Sequence, residues 1–187
     1  DSLRLLCDVE TVFEKQWSLL APEIGWQAAE STVASLNIDR ADYPIVAVID
    51  TGYTAHKDMD GYIYKTFSTR ENAPSSDYNG HGVHVAGIIG SANSNDGLAG
   101  TGFGKVLVMP IKAYGDVVKS FYSSDVVKAI NIILSEKKAG ANIIAVNMSY
   151  GGGGFNQAEY DAMELLYKAG VIVLAAAGND YGSTSAH

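Results

Sequence analysis

The sequence predicts an α/β fold with three layers, in which helices cover both faces of a mostly parallel central sheet. Four short segments are almost wholly apolar, as expected of strands that are buried on both faces. Segments with helical periodicity alternate with them from residue 44 onward, and this alternation is typical of an α/β domain. The apolar segments cover residues 45–49, 106–111, 143–148 and 171–177.

The clearest helix is expected over residues 123–139, between the second and third apolar segments. Ser123 or Ser124 can cap its first turn, because a serine hydroxyl accepts a hydrogen bond from a free backbone N–H group there. The helix is expected to end near Gly140. Three apolar residues recur at helical spacing and should share one face: Val127, Ile130 and Leu134.

Two further helices and one long connection complete the prediction. A helix over residues 23–36 precedes the first strand, and another follows a cap at Asn156 and ends at Gly170. Residues 53–80 are polar and rich in turn-forming residues. We expect them to cross the surface, with one short strand near Tyr62.

Length and composition indicate one domain and argue against two classes of partner. The 187 residues divide into an N-terminal segment with a helix, 1–40, and a core, 41–187. The net charge of −8 and the lack of a basic cluster argue against nucleic acid or an anionic membrane as a partner. The apolar segments are far shorter than the roughly 20 residues that a membrane-spanning helix needs. Cys7 is the single cysteine, which excludes an intrachain disulfide.

Polar residues and glycines follow each predicted strand. Because the carboxyl ends of parallel strands meet at one edge of a sheet, these residues should gather there. The sequence therefore predicts a functional site at this edge. The segments concerned are Asp50-Thr-Gly52, Tyr114-Gly115, Ser149-Tyr-Gly-Gly152 and Gly178-Asn179-Asp180.

The segment Asn79-Gly-His-Gly-Val-His-Val-Ala-Gly87 places a histidine between glycines at the start of a helix. A histidine can take and return a proton near neutral pH, and the flanking glycines allow close approach of a substrate. One alternative is a plain helix start with two incidental histidines. Another is a metal site that uses His81 and His84, although the sequence shows no HExxH pattern and no evident third ligand.

Two other strand ends carry side chains suited to assist a histidine. Asp50 ends a buried strand, where its carboxylate can accept a hydrogen bond from an imidazole and hold the ring in one tautomer. Asn179 follows a strand of small residues, where its amide can donate to a developing oxyanion. For both residues the alternative is a tight turn without a chemical role.

The segment Asn147-Met-Ser-Tyr-Gly-Gly-Gly-Gly154 has little side-chain bulk. It leaves an exposed backbone edge to which an extended peptide can pair as an added strand. The alternative is a flexible loop.

Together and in this order, these four segments resemble the motifs of the subtilases, a family of serine endopeptidases. The family has an apolar strand ending in Asp-Thr/Ser-Gly, then His-Gly-Thr-His-Val-Ala-Gly, Asn-Met-Ser-x-Gly-Gly and Ala-Ala-Gly-Asn. The resemblance implies a subtilisin-like fold in which Asp50 orients the imidazole of His81. It implies that His81 is the general base and then the general acid, and that Asn179 binds the oxyanion. Val83 stands where the family usually has Thr.

The resemblance also implies a cleft that binds a polypeptide substrate between two extended segments. One wall would be formed by Ser149, Tyr150 and Gly151, with Gly178 beside the primary specificity pocket. Tyr114 and Gly115 would lead into the opposite wall.

The nucleophilic serine of the family is missing from the expected place. It lies in a Gly-Thr-Ser-Met-Ala motif well beyond Ala-Ala-Gly-Asn, whereas this sequence ends at His187. Ser183 and Ser185 resemble the motif superficially, but no helix-forming sequence follows them. We therefore expect the nucleophile outside this chain, in a remainder of the catalytic domain that completes the sheet at its C-terminal end. The 187 residues alone should have no peptidase activity.

The resemblance raises further expectations about ligands, partners and location. Asp58 and Ser94 fall where some relatives bind a structural calcium ion, and the alternative is a solvated polar turn. No organic cofactor is expected. Relatives are usually made with a pro-domain and exported, so a pro-domain and an extracellular location are expected here.

Three competing interpretations remain. An aspartic protease shares the Asp-Thr-Gly signature but needs a second one, which this sequence lacks. A dinucleotide-binding domain is suggested by the glycines of residues 97–104, but these precede a strand instead of joining a strand to a helix. The third is a catalytically inactive protein with the subtilase fold that serves as a binding or scaffold protein.

Overall fold

The computed structural model describes residues 16–71, 73–92, 97–152 and 154–179. Its centre is a five-stranded parallel sheet in the order β2-β3-β1-β6-β7, and a short antiparallel pair, β4 and β5, lies beside it. The strands are β1 (Ile45–Asp50), β2 (Phe67–Ser68), β3 (Leu107–Lys112), β4 (Tyr114–Gly115), β5 (Ser120–Phe121), β6 (Ile143–Met148) and β7 (Ile172–Ala175). The helices are α1 (Trp17–Leu20), α2 (Trp26–Ser35), α3 (His81–Gly90), α4 (Ser123–Lys138) and α5 (Gln157–Lys168).

The central strand β1 shows why the sheet has helices on both faces. Side chains alternate between faces along a strand, so a strand that is apolar throughout needs two covering layers. Ala47 and Ile49 belong to the core beneath α4 and α5, whereas Val48 packs with Ala86 of α3 on the opposite face. The three-layer α/β fold that the sequence predicts is confirmed.

The orientation of the Asp50 side chain follows from this alternation. It is two residues beyond Val48, so its side chain points to the face covered by α3. The strand thereby places a carboxylate at the carboxyl edge of the sheet and beneath the start of the helix that begins with His81.

The start of α4 differs from the prediction. Ser123 and Ser124 lie inside the helix, and the residue before it is Tyr122, whose side chain makes no capping hydrogen bond. The buried face is also rotated, because α4 packs on the sheet and on α5 at once. The buried apolar residues are Val126, Ala129, Ile130 and Ile133, and the predicted Val127 and Leu134 are only partly buried.

The helix ends follow the sequence more closely. Asn156 caps α5 by accepting hydrogen bonds from the backbone N–H groups of Ala158 and Glu159 at 3.0 and 3.1 Å. Gly140 and Gly170 follow α4 and α5 with φ angles of +101° and +72°, which glycine adopts without strain.

The predicted surface connection over residues 53–80 contains more structure than expected. Ile63 forms an isolated bridge with Val108, close to the strand expected near Tyr62. β2 then pairs with the end of β3 and forms one edge of the sheet. A single turn of 3-10 helix covers Lys57–Met59.

The opposite edge of the sheet is exposed. β7 is shorter than the predicted segment 171–177, and two of its apolar side chains, Ile172 and Leu174, are 61% and 51% exposed. In the part of the chain that the structure describes, no helix combines the length and apolar character needed to span a membrane.

Candidate active site

Asp50 and His81 form the centre of the site. The Nδ1 atom of His81 lies 2.7 Å from Oδ1 of Asp50. An ionised carboxylate only accepts hydrogen bonds, so the ring donates through Nδ1 and the other nitrogen, Nε2, keeps its lone pair. The Asp50 side chain is 1% exposed, whereas that of His81 is 48% exposed. The pair therefore has a buried acidic end and a basic end that is open to a reactant.

A close contact between backbones brings the two residues together. Gly82 follows His81, and a β-carbon at this position would overlap the carbonyl oxygen of Gly52. The N–H of Gly82 donates to Oγ1 of Thr51 at 2.8 Å, and the N–H of Thr51 donates to Oδ1 of Asp50 at 2.7 Å. Glycine at position 82 thus allows the helix to start directly on the turn that follows β1.

Asp77 secures the first turn of α3. Its Oδ1 accepts hydrogen bonds from the N–H groups of Asn79 and Gly80, both at 2.9 Å, and its Oδ2 accepts one from Val83 at 2.9 Å. Burial works to raise the pKa of Asp77, but the three N–H groups and the nearby Thr51 hydroxyl outweigh it and hold that pKa below its ordinary value. Asp77 is not among the residues predicted from the sequence, although an Asp just before a helix is a common capping signal.

A cavity of ≈ 710 Å³ lies between the β4–β5 pair and the segment that follows β6. Its lining includes several residues expected at the substrate cleft. It also includes one cationic and one anionic side chain, those of Lys119 and Glu159. Of the predicted cleft residues, Tyr114, Tyr150 and Gly151 line this cavity. Gly115 and Ser149 are adjacent to them in the chain but do not line it.

Stacked aromatic rings join the two walls of this cavity. The rings of Phe121 and Tyr150 are 4.1 Å apart at their centroids and nearly parallel, and Tyr114 meets the edge of Phe121 at 5.2 Å. Burial, with nearby negative charge, raises the pKa of the Tyr150 hydroxyl well above its ordinary value, so this group stays protonated. Phe121 is not among the residues predicted from the sequence, because its stacking partner Tyr150 follows a distant strand, β6.

The last predicted residues lie beyond β7. Gly178 has a φ angle of +86°, and both Gly178 and Asn179 are exposed. β7 is the neighbour of β6, so Asn179 and Ser149 follow adjacent strands at the same edge of the sheet. The Oγ of Ser149 accepts a hydrogen bond from Asn147 at 2.9 Å.

The sequence profile of the subtilase family matches residues 42–187. The chain belongs to the subtilase family. The match covers the sheet, α3 with His81, and the strand ends that carry Asp50, Ser149 and Asn179, so the resemblance noted from the motifs is confirmed.

Individual relatives agree with this subtilase assignment. The chain is 35% identical over 141 residues to the major intracellular serine protease of Bacillus subtilis, an alignment that covers 72% of this chain and 42% of the relative. It is 33% identical over 141 residues to subtilisin DY of Bacillus licheniformis, covering 75% and 48%. It is 30% identical over 176 residues to the minor extracellular protease Epr of Bacillus subtilis, covering 92% and 24%. The aligned region thus spans less than half of each of these relatives.

Of the two residues expected to bind calcium in this subtilase, the structure describes Asp58. Asp58 is buried, and its Oδ2 accepts a hydrogen bond from the N–H of Leu98 at 3.1 Å. A pocket of ≈ 240 Å³ beside it is lined by the imidazoles of His56 and His84. Ser94 lies outside the described residues. Among those that are described, no three His, Cys, Asp or Glu side chains are placed to hold a metal ion.

The positions of the two imidazoles can be compared with the metal site considered for His81 and His84. His81 bonds to Asp50, whereas His84 lines the pocket beside Asp58. The two imidazoles therefore have different surroundings, and the geometry gives no support to a metal held between them.

Proposed function

We propose that this chain is the Asp- and His-bearing part of a serine endopeptidase that hydrolyses peptide bonds in polypeptides. The observation that carries the proposal is the 2.7 Å contact between Nδ1 of His81 and Oδ1 of the buried Asp50. It leaves Nε2 of His81 as the free base at the open edge of the sheet. The named relatives that match the chain are proteases, which supports the same assignment.

The proposed reaction begins with a serine that lies outside this chain. Its oxygen attacks the scissile carbonyl carbon while Nε2 of His81 takes the hydroxyl proton. His81 then gives that proton to the leaving amine nitrogen as the C–N bond breaks. Water repeats both steps on the acyl ester and regenerates the serine. Asp50 remains ionised throughout and stabilises the imidazolium that forms between the transfers.

Asn179 is proposed to stabilise the tetrahedral intermediate. Its side chain is exposed and follows the strand next to the one that leads to Ser149. An amide donor in this position can hydrogen-bond the oxygen on which negative charge develops, an interaction that strengthens in the transition state.

The substrate is proposed to bind as an extended strand along the cleft. Gly151 and Gly152 are exposed and leave backbone accessible on one side, and Tyr114 leads into the other side. Main-chain pairing gives affinity for any polypeptide, and the cavity beside Tyr150 then discriminates between side chains.

A second proposed partner is the remainder of the catalytic domain. The exposed Ile172 and Leu174 of β7, with Leu165 and Tyr167 of α5, leave an apolar surface at one edge of the sheet. Such a surface favours a covering layer, and further strands and helices of the same domain would supply it. The relatives extend well beyond the aligned region, in agreement with this proposal.

Three finer expectations are part of the proposal. Asp58 would supply a carboxylate oxygen to a structural calcium ion, since calcium prefers such ligands to the neighbouring imidazoles. A pro-domain would accompany the full-length protein. The protein would be exported, although the names of its relatives include both intracellular and extracellular proteases.

The test uses the full-length natural polypeptide and a fluorophosphonate, which labels an activated serine. We expect cleavage of a denatured protein substrate, and a label on a serine outside residues 1–187. The His81→Ala variant should lose the label, and His84→Ala, on the same helix, should keep it. The isolated 187-residue chain should be inactive.

Two results would contradict the proposal. A full-length protein that is folded but is neither labelled nor active would be a catalytically inactive binding or scaffold protein. A label on Ser183 or Ser185 would place the nucleophile within this chain.

A further inference from the structure

Lys112 is a buried charge that the proposed reaction does not use. It is the last residue of β3 and is 3% exposed, and lysine is rarely buried unless its ammonium group is paired. In the sheet it is the register partner of Asp50. Registered neighbours on parallel strands point to the same face, so the Lys112 side chain lies on the face that carries α3 and His81.

The ammonium group of Lys112 has three partners. It donates a hydrogen bond to the carbonyl oxygen of Ser76, lies 2.8 Å from Oδ2 of Asp116, and lies 4.8 Å from the ring centroid of Tyr78. These contacts offset the loss of hydration that a buried ammonium group suffers. The contact with Ser76 also joins two segments that are 36 positions apart in the sequence.

The contact with Ser76 connects Lys112 to the proposed general base, His81. Ser76 directly precedes Asp77, whose carboxylate holds the first turn of α3 through three backbone N–H groups. The carbonyl oxygen of the preceding Ser75 accepts the N–H of Tyr53 at 2.8 Å, next to the turn after Asp50. Fixing Ser76 therefore fixes the cap of the helix on which His81 stands.

The contact with Asp116 connects Lys112 to the proposed substrate cleft. Asp116 directly follows the β4 residues Tyr114 and Gly115, and β4 pairs with β5. The carbonyl oxygen of Gly115 accepts the N–H of Lys119 at 2.7 Å, which closes the turn between these strands. Fixing Asp116 therefore holds the β4–β5 wall against the end of β3.

We propose that Lys112 is a positioning residue that locks the helix of the general base and the β4–β5 wall of the substrate cleft to one buried cation. This inference rests on the proposed function. Lys112 acts through Ser76 and Asp116 and does not itself contact a reacting atom.

The test compares three variants of the full-length enzyme, with every rate normalised to the number of sites that a fluorophosphonate titrates. Lys112→Met keeps the length of the side chain but removes the charge, so both segments are released. We expect kcat to fall about tenfold and KM to rise. Asp116→Ala removes both carboxylate oxygens, keeps the bond from Lys112 to Ser76 and releases only the cleft wall. We expect KM to rise at least threefold while kcat stays within about twofold of wild type.

Lys137→Met is the matched control. The ammonium group of Lys137 also donates to a main-chain carbonyl, that of Ile143 at 2.7 Å, but at the opposite end of the sheet. Its loss can lower the melting temperature, and kcat and KM per titrated site should not change. We expect kcat to fall in the Lys112 variant and only KM to rise in the Asp116 variant. A purely stabilising role of Lys112 would not produce this difference between the two variants.

A Lys112→Met enzyme whose kcat per titrated site falls less than threefold overturns the inference. If that variant does not fold, Asp116→Ala decides alone: a rise in KM of threefold or more supports the inference, and a smaller rise overturns it. If the wild-type protein is neither labelled nor active, the proposed function has failed. Amide exchange of residues 77–83 then tests the coupling, which is supported by faster exchange in Lys112→Met than in Lys137→Met and overturned by equal exchange.

Discussion

The Nδ1 atom of His81 lies 2.7 Å from Oδ1 of Asp50, although the two residues are 31 positions apart in the sequence. Asp50 ends the central strand of the sheet and His81 begins α3. The acceptor is completely enclosed and the imidazole is half exposed. This combination fixes the tautomer from the buried side and leaves Nε2 of His81 free on the other.

Replacing Asp50 with Asn should disable the base without disturbing the fold. The amide has the same shape, but it can donate to Nδ1 and favour the tautomer that has its proton on Nε2. We expect kcat of the full-length enzyme to fall about 10⁴-fold, the size of loss seen when a serine protease loses its orienting carboxylate. Steady-state kinetics on a peptide substrate measure this change. Asp60→Asn, at an exposed carboxylate, is the control, and a loss below tenfold in Asp50→Asn would remove Asp50 from this role.

A single added methyl group at Gly82 should separate His81 from Asp50. The new β-carbon would overlap the carbonyl oxygen of Gly52, so the start of α3 must move away from the turn after β1. We expect a destabilisation of about 1–3 kcal/mol, as for other overpacked sites, and a loss of kcat of at least about tenfold. Thermal unfolding and kinetics on the same samples report the two effects.

Gly87→Ala is the matched control for this prediction. It lies in the same helix, but its new β-carbon would meet only Oγ of Ser91 at 3.4 Å. Alanine favours the helix by about 1 kcal/mol over glycine, so stability should be unchanged or higher and kcat should be retained. Equal losses in both variants would contradict the role assigned to the contact at Gly82.

The Asp77 carboxylate should make stability depend on pH in the acid range. Its pKa is lowered in the folded protein, so its contribution is complete above the ordinary value of 3.8 and is lost as the pH falls through the lower folded value. Asp77→Asn replaces one of the two accepting oxygens with an NH2 group that cannot accept, so it should reduce the free energy of unfolding at pH 7 by about 1 kcal/mol, the typical contribution of one hydrogen bond. The difference from wild type should shrink as the pH falls below about 4. Thermal unfolding at pH 7 and pH 3 tests this, and a difference that is equal at both values would contradict it.

The positions of Asp50 and His81 can be predicted from the sequence more readily than the residues that hold them in place. The strand bearing Asp50 and the helix start at His81 follow from local patterns, because apolar continuity and flanking glycines mark them directly. Lys112 carries no such mark, since a lysine after an apolar segment usually indicates where a strand meets water. Its burial depends on Ser76 and Asp116, which only the folded chain brings to it.

The rotation of α4 has a similar cause. Val126 and Val127 are both apolar, as are Ile133 and Leu134, so the sequence permits either member of each pair to face the core. The choice is made by packing against the sheet and α5 together, and Val126 and Ile133 are the buried members. Local periodicity predicts that a helix exists here, whereas its rotation depends on tertiary contacts.

Asp58 should stabilise the region that follows α3. Its buried carboxylate accepts the N–H of Leu98, so Asp58→Ala leaves that donor unpaired and should lower the melting temperature by several degrees. If the proposed calcium ion binds here, a chelator should lower the melting temperature of wild type and have a much smaller effect on Asp58→Ala. A chelator without effect on wild type would contradict the calcium proposal. The role of Asp58 would then be to accept the hydrogen bond from the N–H of Leu98.

Replacing Asn179 tests whether its amide acts in the transition state or in substrate binding. An oxyanion donor acts mainly in the transition state, so Asn179→Ala should lower kcat of the full-length enzyme about 10²–10³-fold with little change in KM. Asn142→Ala is the control, because that amide bonds to the carbonyl oxygen of Asp42 at the other end of the sheet. An effect of Asn179→Ala on KM alone would place its amide against the bound substrate and not against the developing oxyanion.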